Sequence, residues 1–320
     1  MHDLHQSIFP DLAHALDNGL PAPTVEIFDH HMHLRGPVAT SEYVKAAKAY
    51  GVCRALGIAT VEQAAAIKDA FGDFFLFCGW PYLGDIDSNR HWLSVRLAEL
   101  ESFAEAGFVS IKIKIVPGRD GGRPPVWMDD KRIRPLITRA VGLGLSVQAH
   151  VGQPAAWFEK YYSDGRAGSR SAYLSQVERF LEEHPDLVYV GVHMGGDPEE
   201  LDYLESLMER FPNYHIDTSA TKWVIRELSR RRDEARDFFI RNSSRILFGS
   251  DLVVQDNVSP SYYTSRFHVQ RVMWESAGRV ASMIIDPDSD AAPEIHGLDL
   301  PVSVLAQIYS GNAECLFGGK

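Results

Sequence analysis

Short runs of β-branched and aromatic residues recur along the whole chain, and this rhythm constrains the fold more than any other feature. Amphipathic stretches with helix start and stop signals separate the runs, as in residues 40–51, which open on Thr40 or Ser41 and end at Gly51. The candidate strands lie at 25–28, 52–58, 74–78, 109–115, 145–148, 188–192, 214–217 and 245–248. Strands that alternate with helices pair in parallel, and eight such units predict a closed (β/α)8 barrel. An open doubly wound sheet is the alternative, although no G-x-G-x-x-G follows the first strand.

The chain is expected to form one domain over residues 1–320. Two segments fit the alternation poorly, and we interpret them as an N-terminal extension, 1–23, and an insertion at about 278–300. Apolar residues make up 45% of the chain, which is enough for a large buried core.

Charge and composition exclude several classes of partner. The formal net charge is −11 and the basic residues are interleaved with acids, so we expect no nucleic-acid partner. No apolar run reaches membrane-spanning length, and the three cysteines are widely spaced, so we expect no membrane partner and a cytoplasmic protein. The expected partner is a small-molecule substrate, and association into a homo-oligomer is left open.

Histidines and aspartates follow several strands at the end where barrel enzymes carry their functional groups. The residues at these strand ends are Asp29, His31, His33, His150, His193 and Asp251. By the two-residue period of a strand, His31 and His33 share one face, while His30 and Met32 are expected to point toward the surrounding helices. A third imidazole and a carboxylate would complete a three-nitrogen, one-oxygen set with an open position, as in catalytic zinc sites; manganese and iron are also acceptable.

Strand four, in the run VSIKIKI, alternates lysine with isoleucine. Because the faces of parallel strands that meet the helices are apolar, Lys112 and Lys114 are predicted to point into the barrel.

Ordered motifs along the chain resemble those of the amidohydrolase superfamily. They are DHHMHL, GFVSIKIKI, AHVG, VHMGG, DTSA, RILFGSDL and GNAECLFG. The chain is most similar to the amidohydrolase-related branch that includes aminocarboxymuconate semialdehyde decarboxylase and 2-pyrone-4,6-dicarboxylate lactonase. The resemblance implies a distorted (β/α)8 barrel with one divalent metal. Zn²⁺ is the expected ion, with Mn²⁺ or Fe²⁺ as alternatives.

The same resemblance implies roles for particular residues. It assigns His31, His33, His150 and Asp251 as metal ligands, and it places His193 beside the metal as an electrostatic or acid-base group. Lys112 is the candidate for the carboxylated lysine that bridges two metals in binuclear members, although a single metal is the preferred interpretation.

The expected activity is hydrolysis of an amide or lactone, in which metal-activated water attacks a carbonyl and Asp251 and His193 are catalytic. Non-oxidative decarboxylation of a small cyclic or aromatic acid is the first alternative, and a barrel that binds metal or ligand without turnover is the second.

Residues near the strand ends suggest a substrate that carries a carboxylate. Arg35 has the planar fork that suits a carboxylate, with a rim ion pair as the alternative. The other candidates for substrate binding are Lys114, Trp80, Tyr263 and Arg266, with Tyr82, Lys222, Trp223 and Tyr262 as further wall residues; the aromatic ones among them could instead pack the helices.

Overall fold

The computed structural model describes residues 23–118, 120–124, 126–256, 258–289 and 293–319. Nine parallel strands form its main sheet in the order β8-β7-β6-β5-β4-β3-β2-β1-β9. They are β1 (Ile27–His33), β2 (Val52–Ile58), β3 (Phe75–Gly79), β4 (Ser110–Ile115), β5 (Ser146–Val151), β6 (Tyr189–Gly191), β7 (Tyr214–Asp217), β8 (Ile246–Leu247) and β9 (Leu252–Val253).

The two ends of this sheet meet between β8 and β1. The amide of His30 donates to the carbonyl of Phe248, just past β8, at 2.9 Å. Further along β1, Met32 and His33 pair with Leu252 and Val253 of β9. The strands therefore curl into a distorted (β/α)8 barrel, which confirms the predicted fold class.

Helices follow the strands, and most of them cover the sheet from outside. They are α1 (Pro37–Ala49), α2 (Val61–Phe71), α3 (Trp92–Glu105), α4 (Arg134–Gly142), α5 (Ala155–Tyr161), α6 (Arg170–Glu183), α7 (Leu201–Arg210), α8 (Trp223–Arg230), α9 (Arg232–Arg241), α10 (Pro260–Glu275), α11 (Val302–Ala306) and α12 (Asn312–Phe317). Short 3-10 turns lie at Gly72–Phe74 and Ser243–Arg245, and a π-helical turn, Gln307–Gly311, links α11 to α12.

The two faces of β4 separate the core into two parts. Ile111, Ile113 and Ile115 are fully buried in the large cluster between sheet and helices, so Lys112 and Lys114 lie on the inward face, as predicted. A second cluster fills the barrel interior and includes Phe28, Leu56, Cys78, Val190, Leu247 and, from α12, Ala313 and Phe317. The last helix therefore closes one end of the barrel with an aromatic side chain.

A β-bulge interrupts β1 within the histidine cluster. Asp29 pairs with Ala55 of β2, but Met32 pairs with Gly57, so one extra residue lies in β1. The ring of His30 consequently points into the barrel, where it stacks on Phe317 at 5.4 Å. The expectation that His30 faces the helices was wrong, because the two-residue period does not continue through a bulge.

Asp29, in contrast, faces away from the barrel interior. Its carboxylate accepts from the hydroxyls of Tyr43, on α1, and Ser250, at 2.8 and 2.6 Å. It supports the backbone around β1 and is not one of the groups that converge at the barrel mouth.

The predicted insertion contains a small hairpin of β10 (Arg279–Ala281) and β11 (Glu294–His296). Beyond β10, the carboxylate of Asp286 accepts from Arg226 of α8, and that of Asp288 accepts from the indole of Trp157 of α5 at 2.6 Å. The insertion thus joins helices that follow β5 and β7. Almost all of the predicted N-terminal extension lies outside the described residues.

Within the described ranges, the helices are all too short or too polar to cross a bilayer.

Candidate metal centre

Three side chains, two from β1 and one from the turn between β8 and β9, converge at the carboxyl end of the sheet. Asp251 Oδ1 lies 3.4 Å from His31 Nε2 and 3.3 Å from His33 Nε2. Each residue presents a ligand atom, and the three atoms all lie within 4.8 Å of one another. Residues 31 and 33 are brought together with residue 251 only by closure of the barrel at β9.

Asp251 has a strained backbone that directs its carboxylate to the histidines. Its φ is +53°, in the left-handed region that few non-glycine residues adopt. Its amide donates to the carbonyl of His31 at 2.7 Å, which fixes this turn against β1. Burial would raise the pKa of Asp251, but its interaction with His193 and the hydrogen bond from His33 hold it well below its usual range. The carboxylate is therefore ionised at neutral pH.

His31, His150 and His193 are neutral. Burial and the charge of Lys112 lower the pKa of His31 to about 3, against the opposing effect of Asp217. Burial likewise lowers the pKa of His150 and of His193. Neutral imidazoles next to an ionised carboxylate are the protonation states in which these groups bind a metal.

Asp217, at the end of β7, orients His31. Its Oδ2 lies 2.8 Å from His31 Nδ1, so the Nδ1 proton points to this carboxylate and the lone pair of Nε2 faces Asp251. Its Oδ1 accepts from the amide of His193 at 2.7 Å. Asp217 also belongs to a second close group, with His31 and His193, but both of its oxygens are engaged by the protein, so its role is to orient a ligand.

Ser219 extends this network to His193. Its hydroxyl donates to Asp217 Oδ1, and its oxygen lies 2.7 Å from His193 Nδ1. The proton of the neutral His193 ring therefore lies on Nδ1. Sequence reasoning did not single out Asp217 or Ser219, although the motif DTSA at the end of a strand was the signal that could have identified them.

His193 lies in a left-handed turn that follows β6. Its φ is +56° and that of Met194 is +55°, so the chain turns sharply directly after the strand. This turn places the His193 ring 5.2 Å from that of His31 and 4.6 Å from that of His150. His150 thus lies beside the cluster, but it belongs to neither close group of ligand atoms in the described chain.

The sequence profile of the amidohydrolase family matches residues 28–319. The chain belongs to this family. Among solved structures, it is similar to a 2,6-dihydroxybenzoate decarboxylase in complex with 2,6-dihydroxybenzoate, at 17% identity and a TM-score of 0.50, over 93% of this chain and 99% of the other. No curated protein matches the sequence.

Two further solved structures share the fold. A dihydroxybenzoic acid decarboxylase from Polaromonas sp. JS666, with bound manganese and the inhibitor 2-nitroresorcinol, has 14% identity and a TM-score of 0.52, over 92% of this chain and 97% of the other. A dihydroorotase from Saccharomyces cerevisiae, in complex with 5-fluoroorotic acid, has 10% identity and a TM-score of 0.55, over 92% of this chain and 85% of the other. At these identities the likeness establishes the fold alone.

The donor set fits the divalent metal that amidohydrolases use. His31, His33 and Asp251 supply two imidazole nitrogens and a carboxylate oxygen, and the Asp251 side chain is 32% exposed. An external molecule can therefore reach the cluster, as a catalytic metal site requires.

Lys112 lies directly beside these donors. It is 2% exposed, and its Nζ lies 2.9 Å from His31 Nε2. Burial lowers the pKa of Lys112 to about 8, although the charges of Asp251 and Asp217 oppose this shift. Lys114, the next inward residue of β4, is exposed at the mouth and pairs in register with His150.

The predicted substrate residues have different surroundings. Trp80 is 39% exposed, and its ring lies 5.9 Å from that of His33. Arg35 is exposed and forms no ion pair with any described residue, so the rim ion pair that was its alternative role is not found. Tyr263 is buried behind β1, where its hydroxyl bonds Gln255 and its ring meets Tyr43 edge-on. It lies away from the converging ligands and cannot line the mouth as predicted. Arg266 stacks on Tyr262.

Proposed function

We propose that this chain is a metal-dependent hydrolase that cleaves the C–N or C–O bond of a small, carboxylated amide or lactone. The observation that supports this most directly is the convergence of His31, His33 and Asp251 at an accessible end of the barrel. These residues would hold a divalent metal, with His150 as the fourth ligand that family resemblance implies. Such a metal would polarise the carbonyl of the substrate and lower the pKa of bound water. A single ion, most commonly Zn²⁺ for this donor set, is proposed.

Asp251 is proposed as the proton acceptor for the attacking water. It is ionised, its backbone is fixed by His31, and its side chain is 32% exposed to solvent. After attack, the same carboxyl group would pass the proton to the leaving nitrogen or oxygen.

His193 is proposed as the acid-base group opposite Asp251. Because Ser219 binds Nδ1, Nε2 is the nitrogen that can take a second proton. Nε2 would take this proton from solvent and donate it in a hydrogen bond to the oxyanion that develops on the carbonyl, and such a donor contributes roughly 3–4 kcal/mol to the transition state.

Decarboxylation is the second candidate, because two of the similar solved structures are named as decarboxylases. The same cluster would then bind the substrate carboxylate, and a protonated Asp251 or His193 would deliver a proton to the carbon that loses CO2.

The test combines metal analysis of the purified protein with a screen of lactones, cyclic amides and aromatic acids. We expect about one metal per chain and turnover that His193→Asn lowers about 100-fold or more, while the exposed control His91→Asn retains full activity. Mass analysis of the product separates addition of water from release of CO2. Protein without metal, or a metal-loaded protein that turns over nothing in the panel, would contradict the proposal and favour a barrel that only binds a ligand.

A further inference from the structure

The buried side chain of Lys112 has one hydrogen-bond partner among the described residues, and that partner is a metal ligand. Its Nζ lies 2.9 Å from His31 Nε2. Because Asp217 holds the proton of this ring on Nδ1, Lys112 donates and the Nε2 lone pair accepts. The carboxylates of Asp217 and Asp251 pair with histidines, and neither forms an ion pair with Lys112. An ammonium with three N–H donors thus has a single acceptor in the described chain.

The lone pair that accepts from Lys112 is the one that a metal bound to His31 would use. Because Asp217 engages Nδ1 of His31, only Nε2 is available to coordinate the ion. One lone pair cannot accept a hydrogen bond and bind a metal at the same time, and the ion also repels an ammonium beside it. Lys112 and the metal therefore compete for His31, and Lys112 needs another acceptor when the metal is bound.

Gln148 lies next to Lys112 on the inner face of the sheet. The two residues pair in register between β4 and β5. Gln148 points into the barrel, because its neighbours Val147 and Ala149 are buried in the outer cluster between sheet and helices. Neighbouring strands lie about 4.8 Å apart, so two long side chains that leave the same face at paired positions can reach each other.

The amide of Gln148 is fully buried, and neither its Oε1 nor its Nε2 forms a hydrogen bond within the described chain. Its register partner on the other side is Val190 of β6, which is apolar. A buried amide without a partner opposes folding, so a donor is expected for Oε1. The Lys112 ammonium is the polar group paired with it across the two strands.

The ring of His30 also lacks a hydrogen bond among the described residues. Its Nδ1 lies 3.8 Å from Asp217 Oδ2, and its ring stacks on Phe317. These contacts set the position of the ring, whereas the register between β4 and β5 places Gln148 directly beside Lys112. Gln148 is therefore the better candidate for the second acceptor.

We propose that Gln148 is a positioning residue whose Oε1 accepts a hydrogen bond from the Lys112 ammonium when His31 coordinates the metal. Lys112 then stays a free amine that moves between two acceptors, and it is not carboxylated. Without the amide of Gln148, the ammonium stays on His31 Nε2 and the metal binds more weakly. The inference rests on the metal of the proposed function, but not on the reaction that this metal serves.

Zn²⁺ affinity, measured at one neutral pH by competition with a coloured chelator, tests this arrangement. Lys112→Met removes the competing cation and is expected to tighten Zn²⁺ binding about 10-fold. Gln148→Met keeps the size of the side chain but removes the acceptor, so a loss of about 10-fold is expected. In the double variant the change at Gln148 should alter the affinity less than about twofold, because no ammonium remains to be accepted.

Lys114→Met is the matched control. It removes a cation from the same face of β4, but from an exposed position at the mouth, so the Zn²⁺ affinity is expected to change less than about threefold. Thermal unfolding shows whether each variant is folded. If Gln148→Met is not, Gln148→Asn replaces it, because the shorter side chain withdraws the amide and is expected to weaken Zn²⁺ binding in the same direction.

Weaker Zn²⁺ binding by Lys112→Met would identify Lys112 as a ligand and overturn the inference. An affinity that Gln148→Met leaves unchanged, or lowers equally with and without Lys112, would overturn it as well. Shifts of the expected sign and coupling support the inference even if no compound in the turnover screen reacts, and turnover without these shifts contradicts the inference alone. A wild type that binds no Zn²⁺ would contradict both the inference and the proposed hydrolase.

Discussion

At the scale of single residues, Asp217 connects the metal ligands to the rest of the barrel. It fixes the Nδ1 proton of His31 with one oxygen and the backbone of His193 with the other. Asp217→Asn keeps the shape of the side chain, but the new amide presents either a neutral oxygen acceptor or an NH2 donor to His31 Nδ1–H. We expect metal affinity to fall about 10- to 100-fold, as is typical when the partner of a metal-binding histidine is removed. Competition with a coloured chelator measures the affinity, and the exposed Asp202→Asn serves as control. An unchanged affinity in Asp217→Asn would show that the carboxylate does not orient the ligand.

His215, on β7, makes folding sensitive to acid. Burial and the charge of Arg245 lower its pKa from 6.5 to about 4, against the hydrogen bond to the carbonyl of Asn213. The unfolded chain therefore binds a proton between these values that the folded chain does not, so this residue reduces stability as the pH falls from about 6.5 to about 4.

Replacement of this histidine should remove that part of the pH dependence. The shift in pKa corresponds to about 3 kcal/mol. Between pH 7 and pH 4, the free energy of unfolding of His215→Gln is therefore expected to fall by about 3 kcal/mol less than that of the wild type. Urea unfolding at several pH values measures the difference. Parallel stability curves for the two proteins would contradict the assigned cause.

At the scale of elements, α12 completes the interior of the barrel. Phe317 is 1% exposed among residues from several strands, and its ring stacks on His30 beneath the metal ligands. Phe317→Ala would leave a cavity in this layer, and we expect it to lower the free energy of unfolding by about 3–5 kcal/mol. Urea unfolding with Cys315→Ala, an exposed position of the same helix, is the comparison. Equal stability of the two variants would mean that α12 does not support the barrel interior.

At the scale of the whole molecule, the insertion links parts of the barrel that are distant in sequence. The buried pair of Asp286 and Arg226 anchors it to α8, and the bond from Trp157 to Asp288 anchors it to α5. Asp286→Asn leaves the Arg226 charge with Glu227 alone. We expect a loss of about 3 kcal/mol and faster amide exchange in the hairpin of β10 and β11.

Hydrogen exchange measured by mass spectrometry localises this effect. Glu294→Gln is the matched control, because it breaks the exposed pair with Arg279 in the same insertion and should cost less than about 1 kcal/mol. Exchange that rises equally in both variants would show that the Asp286 anchor does not hold the segment in place.

The sequence by itself determined the succession of strands and helices and therefore the barrel. The hydrophobic period and the helix start and stop signals are local properties, so they could be recognised in the sequence without knowledge of long-range contacts. The spacing of His31 and His33 likewise predicted that both would face one site. Family motifs added Asp251, which lies close to both of them.

The tertiary structure alone decided which way several side chains point. The bulge in β1, which turned His30 inward, depends on the register with β2. The engagement of both Asp217 oxygens depends on contacts with His31 of β1 and with the turn after β6, and the burial of Tyr263 depends on its packing against Tyr43 of α1. Direction and protonation follow from partners that are remote in sequence, and a local pattern carries no information about them.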